Sequence, residues 1–179
     1  MNPAKLITAR LRLVQHEPEH LRALIRGTEF YEHSSGMKAA KGLREFIVSP
    51  DVSPEWRAAL ETATDADPWR YGFALMHRDS GIVIGNSGFA GPPDANGMVE
   101  IAYGVVPDYE GKGFATEAAQ ALIAYAEADA RVRTICAHTL PRRNASTRIL
   151  EKCGFRRTGE VSHPTDGLIW RREKPAATA

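Results

Sequence analysis

Hydrophobic and polar residues alternate over several short stretches of the chain, and this pattern predicts a domain built mainly from β-strands. Strands are expected at residues 11–14, 71–77, 82–89, 98–106, 134–140, 155–162 and 168–173. The sequence Arg78-Asp79-Ser80-Gly81 is typical of a hairpin turn, and Asp166-Gly167 marks a second one. Most of the strands are therefore expected to pair in antiparallel fashion.

Helical spacing and capping residues interrupt this strand pattern at four places. Helices are expected from Glu17-Pro18-Glu19 onwards and over residues 54–63, 114–128 and 145–153. The second of them begins with Ser53 as a capping residue and Pro54 at the first helical position. Residues 31–52 contain Gly, Ser and Lys and show no clear periodicity.

The order of these elements predicts one α+β domain covering residues 1–179. Helices near the start, followed later by a strand–helix–strand–helix passage, favour a mixed, mostly antiparallel sheet with helices on both faces. A chain of 179 residues is long enough to bury a substantial core, and this one shows no internal repeat or linker.

Composition narrows the classes of function. The chain is 43% hydrophobic and 25% charged, which is typical of a folded, water-soluble domain. Its 23 basic and 22 acidic residues give a net charge of +1, so no general attraction to nucleic acid or to a membrane surface is expected. No apolar secretion segment follows Met1, and Cys136 and Cys153 form no CxxC pair, so we expect a cytoplasmic protein with reduced thiols.

The most informative segment is a glycine-containing turn between a strand and a helix. The strand ends at Val106, Pro107 forces a turn, and Gly111-Lys112-Gly113 leads into the helix. The first N–H groups of a helix have no internal partners and lie at the positive end of its dipole. Glycines there let a phosphate approach the backbone, so the segment is typical of a pyrophosphate site. The alternative is that the glycines only shape a tight turn.

Two common nucleotide motifs do not fit this turn. A P-loop has Gly five residues before the Gly of its Gly-Lys pair, where this chain has Val106, and Ser or Thr after the lysine, where it has Gly113. The dinucleotide pattern GxGxxG has its last glycine where this chain has Thr116. A nucleotide-binding protein of either kind is therefore not expected.

Three segments resemble motifs of the GNAT acetyltransferase superfamily. The sequence VEIAY at 99–103, followed by DYEGKGFATEA at 108–118, is similar to the central acyl-CoA-binding motif of that superfamily. The sequence PRRNASTRILEKCGF at 141–155 resembles its later helix-and-strand motif. The opening ITARLRLV at 7–14 is similar to the branch that contains ribosomal-protein N-terminal acetyltransferases.

The resemblance implies the acyl-CoA acyltransferase fold, a seven-stranded sheet that splays open where the central strand meets the glycine turn. It implies acetyl-CoA as cosubstrate, with its pantetheine arm held by backbone groups of Tyr103, Val105 and Val106. The pyrophosphate would be held by the N–H groups of Gly111, Lys112, Gly113, Phe114, Ala115 and Thr116. The resemblance also implies a contact with CoA from the position of a family asparagine. That position aligns with Arg143, and Asn144 stands one residue later, so either residue is expected to make the contact.

Two positions depart from the family pattern. Glu110 stands where the pattern has Gln or Arg, and we expect its carboxylate to point into solvent. Leu150 stands where many members have a tyrosine that protonates the departing thiolate. Branches without that tyrosine use the serine of the same motif, so the resemblance implies Ser146 as the acid or as a contact of the thiol. The alternative for Ser146 is a plain helix-capping role.

Glu100 is the candidate general base. On a strand, Glu100 shares one face with Ala102, Gly104 and Val106, and the small residues would leave room for an acyl group and an amine. Acidic residues on this strand serve as base in several members of the family. The alternatives are a solvated edge charge or a salt-bridge partner.

The histidines and aromatics of the chain carry weaker indications. His138 is interpreted as a packed or hydrogen-bonded residue near the substrate, because no Cys, Asp or Glu stands near it at the spacing of metal ligands, and no metal is expected. The resemblance also implies that the first helices wall the acceptor site, where Phe30, Tyr31 and His33 would line it.

The expected function is direct acetyl transfer from acetyl-CoA to a primary amine, either a protein N-terminal α-amine or a small-molecule amine. The alternative is a catalytically weak acyl-CoA-binding sensor or interaction module, which Leu150 and the displaced Asn144 would favour. The sequence leaves a homodimer open.

Overall fold

In the computed structural model, which describes residues 6–177, nine strands join into one mixed sheet. The strands are β1 Leu6–Ile7, β2 Leu11–Gln15, β3 Lys38–Ala39, β4 Phe73–His77, β5 Ile82–Phe89, β6 Met98–Val105, β7 Thr134–Thr139, β8 Arg156–His163 and β9 Gly167–Pro175. Their order is β1-β2-β4-β5-β6-β7-β9-β8, and β3 pairs with β5. The seven predicted strands are all present, and the two additional ones, β1 and β3, have two residues each.

The helices lie between these strands and cover both faces of the sheet. They are α1 Pro18–Arg26, α2 Thr28–Ser35, α3 Glu45–Val48, α4 Pro54–Thr62, α5 Pro68–Tyr71, α6 Phe114–Glu127 and α7 Ala145–Lys152, with a 3-10 turn at Pro107–Tyr109. The four predicted helices are confirmed. Within residues 6–177, no helix combines the length and the apolar character needed to span a bilayer.

The prediction that a strand begins at Tyr71 is wrong by two residues. Asp67 caps a short helix by accepting a hydrogen bond from the N–H of Trp69, and Pro68 occupies the first helical position. Tyr71 is the last residue of that helix, and the strand begins at Phe73. Local capping chemistry therefore takes precedence over the hydrophobic pattern here.

Two hydrophobic cores fill the two faces of the sheet. One lies under α6 and contains Val99, Ile101 and Val105 from β6 together with Leu122 from the helix. The other lies under α1 to α4 and contains residues such as Tyr31 and Leu60. Alternation along β6 therefore turns Glu100, Ala102 and Gly104 away from the α6 core, as the sequence predicts.

The sheet opens between its two central strands. Strand β6 pairs in parallel with β7 over only three residue pairs, from Met98 with Thr134 to Glu100 with Cys136. Beyond Glu100 the two strands separate, although β6 continues to pair with β5 as far as Val105. One edge of β6 is left without a neighbouring strand along residues 101–105, at the place that the family resemblance implied.

Candidate active site

The turn that follows β6 depends on two glycines in the left-handed conformation. Gly111 has φ of 70° and Gly113 has φ of 86°, values that other residues adopt only with strain. A side chain at Gly111 would meet no atom within 4 Å, so the space outside this part of the turn is open. Gly113 is also the N-cap of α6, and no side chain caps the helix there.

Six consecutive backbone N–H groups at this turn have no hydrogen-bond acceptor among residues 6–177. They belong to the segment 111–116, which leads from the glycine turn into the first turn of α6. Unpaired N–H groups at the positive end of a helix bind anions well. Glu110 is exposed, as expected, so its carboxylate does not fill this position.

Two positively charged side chains lie at this turn, and one of them comes from a distant part of the chain. The ammonium of Lys112 is bound to the carbonyl oxygen of Asp108 at 2.8 Å and lies against the ring of Tyr109. The guanidinium of Arg10 instead crosses the turn, donating to the carbonyl oxygen of Lys112 at 2.9 Å and packing 4.4 Å from the ring centre of Phe114. Arg10 is part of the opening motif at 7–14, which was its only signal.

Glu117 fastens this turn to the start of the chain. Its carboxylate accepts hydrogen bonds from the hydroxyl of Thr8, from the backbone N–H of Arg10 at 2.7 Å and from Nε of Arg10 at 3.0 Å. Burial, the largest single influence, raises the pKa of Glu117, but the hydrogen bonds and the charge of Arg10 together lower it below its ordinary 4.5. The opening motif and the glycine-turn motif are thus two halves of one cluster.

The open edge of β6 presents alternate backbone groups. The carbonyl of Glu100 accepts from Ala90 at 3.0 Å and the N–H of Val106 donates to Ile84 at 2.8 Å, so even-numbered residues face β5. The N–H and C=O groups of Tyr103 and Val105 therefore point to the side where β7 has separated.

Val106 has fewer free backbone groups than Tyr103 and Val105. Its N–H is bonded to Ile84, and its carbonyl accepts the N–H of Tyr109 at 2.9 Å. The N–H is therefore occupied by the β5 ladder, whereas the carbonyl oxygen keeps a second lone pair. Tyr103 and Val105 are the stronger candidates for the pantetheine contact.

A cleft of about 670 Å³ lies where β6 and β7 part, and it brings together residues from five parts of the chain. Its walls include Glu100 of β6, His138 of β7, and Asn144 and Ser146 at the start of α7. Asp51, between α3 and α4, and Asp166, in the β8–β9 hairpin, lie at the same cleft. Three of the expected site residues, Glu100, Asn144 and Ser146, are therefore neighbours of one cavity.

Glu100 and His138 form a hydrogen-bonded pair in this cleft. Nδ1 of His138 lies 2.7 Å from Oε1 of Glu100, and the two side chains are 22% and 38% exposed, respectively. In the parallel ladder Glu100 lies opposite Cys136, and His138 is two residues further along the same face. The interpretation of His138 as a hydrogen-bonded residue is confirmed. The register of two distant strands, which no local pattern encodes, creates the pair.

The space expected beside Glu100 is only partly open. Ala102 is exposed and lines the cleft. Gly104 is covered, because a Cβ at that position would come within 2.7 Å of the ring of Phe46. A smaller cavity of about 280 Å³, walled by Phe46 and Trp56 among others, also reaches Ala102. The room predicted over both small residues is therefore present at Ala102 and is limited by the ring of Phe46 at Gly104, which also lines the smaller cavity.

The geometry at the start of α7 distinguishes Asn144 from Arg143 as the residue that would contact CoA. Asn144 caps the helix by accepting the N–H of Thr147 at 2.9 Å through Oδ1, which leaves its Nδ2 available at the cleft. Arg143 is directed outwards, with a side chain that is 78% exposed and lies 3.6 Å from Glu151. The geometry favours Asn144 over Arg143. Leu150 is buried in the core, so no phenol stands in the place of the family's tyrosine.

The aromatic residues expected to wall the acceptor site do not line the cleft of Glu100 and His138. Tyr31 is completely buried in the core under α1 to α4. Phe30 and His33 line a separate cavity between α1, α2 and α4. Phe46 of α3 approaches the central strand instead.

Burial weakens both cysteines as nucleophiles. Burial, followed by the negative charge of Glu100, raises the pKa of Cys136 to about 11. Burial also raises the pKa of Cys153. A thiol with a raised pKa is a weak nucleophile at neutral pH. Neither cysteine therefore competes with the Glu100–His138 pair for a chemical role.

Comparison with known proteins identifies the family. The family model described as "Acetyltransferase (GNAT) domain" matches residues 10–156. The chain belongs to the GNAT acetyltransferase family. Among curated proteins, the uncharacterized N-acetyltransferase YjdG of Bacillus subtilis (strain 168) is 37% identical over 84 residues, which are 45% of this chain and 48% of YjdG. The chain thus spans about half the length of that relative.

Solved structures share the fold across nearly the whole chain. A putative ribosomal-protein-serine acetyltransferase from Vibrio cholerae aligns with a TM-score of 0.64 and 18% identity, over 98% of this chain and 99% of that one. RimL, a ribosomal L7/L12 α-N-protein acetyltransferase in complex with coenzyme A, aligns with a TM-score of 0.64 and 13% identity, over 94% and 96% of the two chains. At these identities the comparison establishes the fold.

Proposed function

We propose that this protein transfers an acetyl group from acetyl-CoA directly to a primary amine. One observation carries the proposal. The open edge of β6 runs from the unpaired N–H groups of the glycine turn to the Glu100–His138 pair in the cleft. An elongated thioester with a phosphate-bearing end and a reactive end matches that arrangement.

The residues present fit acetyl-CoA. The N–H groups of residues 111–116 have no acceptor among the described residues, which suits a pyrophosphate. The backbone groups of Tyr103 and Val105 would pair with the pantetheine amides as a neighbouring strand would. Asn144 would donate from Nδ2 at the same cleft. RimL, whose fold this chain shares, is named as a complex with coenzyme A.

The chemistry requires a neutral amine. A free α-amine has a pKa of about 8 and a lysine amine one of about 10.4, so an α-amine loses its proton more readily at neutral pH. The Glu100–His138 pair would accept that proton. Ser146 lies at the same cleft and would contact or protonate the departing thiolate, since Leu150 supplies no phenol.

The acceptor is proposed to be a protein N-terminus or a small-molecule amine. The names of the structural neighbours include both kinds, a ribosomal-protein α-N-acetyltransferase and a spermidine N-acetyltransferase. Asp51 and Asp166 would attract a protonated amine to the cleft.

Calorimetry followed by a thiol-release assay tests the proposal. Acetyl-CoA is titrated into the protein with desulfo-CoA and ATP as controls, and released thiol is then measured with a panel of peptide and small-molecule amines. We expect binding of acetyl-CoA in the micromolar range, weak binding of ATP and thiol release with at least one amine. Binding without thiol release for any amine would indicate an acyl-CoA sensor, and no binding would overturn the proposal.

A further inference from the structure

The hydrogen bond between Glu100 and His138 fixes which nitrogen of the imidazole carries the proton. Nδ1 of His138 is the atom that lies 2.7 Å from the Glu100 carboxylate. An ionised carboxylate only accepts hydrogen bonds, so Nδ1 is the donor. In a neutral imidazole the other nitrogen then has a free lone pair. Nε2 of His138 is therefore the basic atom of this pair.

Nε2 of His138 is accessible from the cleft. It forms no hydrogen bond to any residue in the range 6–177, and it is absent from the set of buried polar atoms that lack a partner. His16 shows the opposite situation. It is buried, its Nε2 lies 2.8 Å from Asn86, and its Nδ1 is enclosed without a partner. His163 also lines the cleft, and its Nδ1 lies 3.3 Å from Asp166. That Nδ1, however, also accepts the backbone N–H groups of Thr165 and Asp166, so it is not held as a donor in the way that Nδ1 of His138 is.

We propose that His138, through Nε2, takes the proton from the acceptor amine, and that Glu100 is a positioning residue that holds the imidazole in the required tautomer. This inference rests on the proposed acetyl transfer and reassigns the base from Glu100 to His138. A carboxylate that orients an imidazole and stabilises its protonated form is a recurrent catalytic arrangement.

The proposed step balances as follows. The ammonium form of the acceptor gives one proton to Nε2 of His138, and the freed lone pair of the amine forms a C–N bond with the acetyl carbonyl carbon. The C–S bond breaks, and the thiolate receives the second proton of the nitrogen through Ser146 or water. The imidazolium then returns its proton to solvent. The sum is one amide, one thiol and one released proton.

The charges around His138 favour this assignment. Asp51 and Asp166 at the cleft, together with Glu100, place three carboxylates near the imidazolium that would form. His163 lines the same cleft from the β8–β9 hairpin and is held by Asp166 at 3.3 Å. Arg171 lies opposite His138 in the β7–β9 ladder, but its guanidinium is bound to Glu173 at 2.7 Å. Among the residues that line the cleft, the carboxylates therefore outnumber the cationic side chains.

The inference is tested by comparing His138→Gln with Glu100→Gln over a wide pH range. A free imidazole takes up a proton at a pH about two units higher than a free carboxylate, so the two bases give different rate profiles. We expect His138→Gln to lower kcat about 100-fold or more, to remove the acidic limb of the profile and to leave acetyl-CoA affinity unchanged. We expect Glu100→Gln to keep the acidic limb of the profile but to shift it along the pH axis, and to lower kcat less than His138→Gln does. His20→Gln, on α1 and outside the cavities described above, is the matched control.

Two further measurements distinguish the loss of a base from misfolding of the variants. Added imidazole should partly restore the rate of His138→Ala and should not restore that of Glu100→Gln. Nitrogen NMR of the imidazoles should show Nδ1 of His138 protonated and Nε2 unprotonated in wild type, with this preference weakened in Glu100→Gln. If the acidic limb of the pH–rate profile survives in His138→Gln and disappears in Glu100→Gln, the assignment of His138 as base is wrong, while the proposed acetyl transfer still stands. No thiol release by wild type with any amine would overturn the proposed function as well.

Discussion

The ring of Phe46 occupies the space that a side chain at position 104 of the central strand would need. A Cβ built on Gly104 would lie 2.7 Å from Cε1 of Phe46. Phe46 belongs to the four-residue helix α3, and its ring is partly exposed. The segment between α2 and α4 therefore limits the space above the face of β6 that carries Glu100.

We expect Gly104→Ala to displace the ring of Phe46 and to change acceptor use more than folding. The ring is exposed enough to swing aside, so the free energy of unfolding should fall by no more than about 1 kcal/mol. The KM for the acceptor amine should rise while the Kd for acetyl-CoA stays constant. Combining it with Phe46→Ala, which removes the clash, should give less than the sum of the two single effects. Additive effects on KM would show that Phe46 and Gly104 do not act together.

The glycine turn can be tested against another turn whose glycine has the same φ. Gly111 and Gly81 both have φ of 70°, and a side chain at either would meet no atom within 4 Å. Alanine should cost each about 1–2 kcal/mol, because both would place a Cβ in the left-handed region. Only Gly111→Ala should weaken acetyl-CoA binding, by tenfold or more, since its side chain would stand beside the unpaired N–H groups. Equal affinities for the two variants in calorimetry would remove Gly111 from the proposed pyrophosphate site.

Asn144 offers a substitution that separates capping from ligand binding. Aspartate caps helices as well as asparagine does, but it replaces the Nδ2 donor by a negatively charged oxygen. We expect Asn144→Asp to leave the unfolding midpoint unchanged and to weaken acetyl-CoA binding. Arg143→Ala is the comparison, because that side chain is directed away from the cleft. A larger loss of affinity in Arg143→Ala would reverse the assignment between the two residues.

The Glu117 cluster predicts a specific loss of stability in acid. Because the pKa of Glu117 is lowered in the folded chain, its contribution is complete above its ordinary pKa of 4.5 and is lost as the pH falls through the lower folded value. Glu117→Gln should lower the free energy of unfolding by about 1–2 kcal/mol at neutral pH and should flatten its decline in acid.

The control for this prediction is Glu110→Gln, which changes an exposed carboxylate of the same turn. Chemical denaturation at neutral pH and at pH values below 4.5 measures the difference. If both variants keep the wild-type decline, the ion pair between Arg10 and Glu117 does not hold the turn to the start of the chain.

The sequence predicts those parts of this molecule that local chemistry determines. Strand alternation assigns the faces of Glu100 and Val99 correctly, and the capping pair Ser53-Pro54 starts α4 where expected. Helix α3 escapes prediction because it is short and no side chain caps it. Its position depends on tertiary burial of Ile47, which lies in the core under α1 to α4.

The unpredicted features of the site all join residues that are distant in sequence. The Glu100–His138 pair follows from the register of β6 with β7, and the Arg10–Glu117 pair follows from the packing of β2 beside α6. The contact between Phe46 and Gly104 follows from how α3 lies on the sheet. Each partner carries only its own local pattern, so the pairing requires the folded chain.

Because β6 and β7 pair over such a short length, binding of the proposed acetyl-CoA donor would also stabilise the folded sheet. Within residues 6–177, only three β-ladder pairs, all between β6 and β7, join the six-strand side of the sheet to the side formed by β7, β8 and β9. A pantetheine arm lying along residues 101–105 would continue the β6 edge beyond those pairs and would bridge the two sides of the sheet. The stabilisation follows mass action, RT ln(1 + [L]/Kd), or about 2.7 kcal/mol when the ligand is at 100 times its Kd. Resistance to unfolding in the cell would then follow the acetyl-CoA supply.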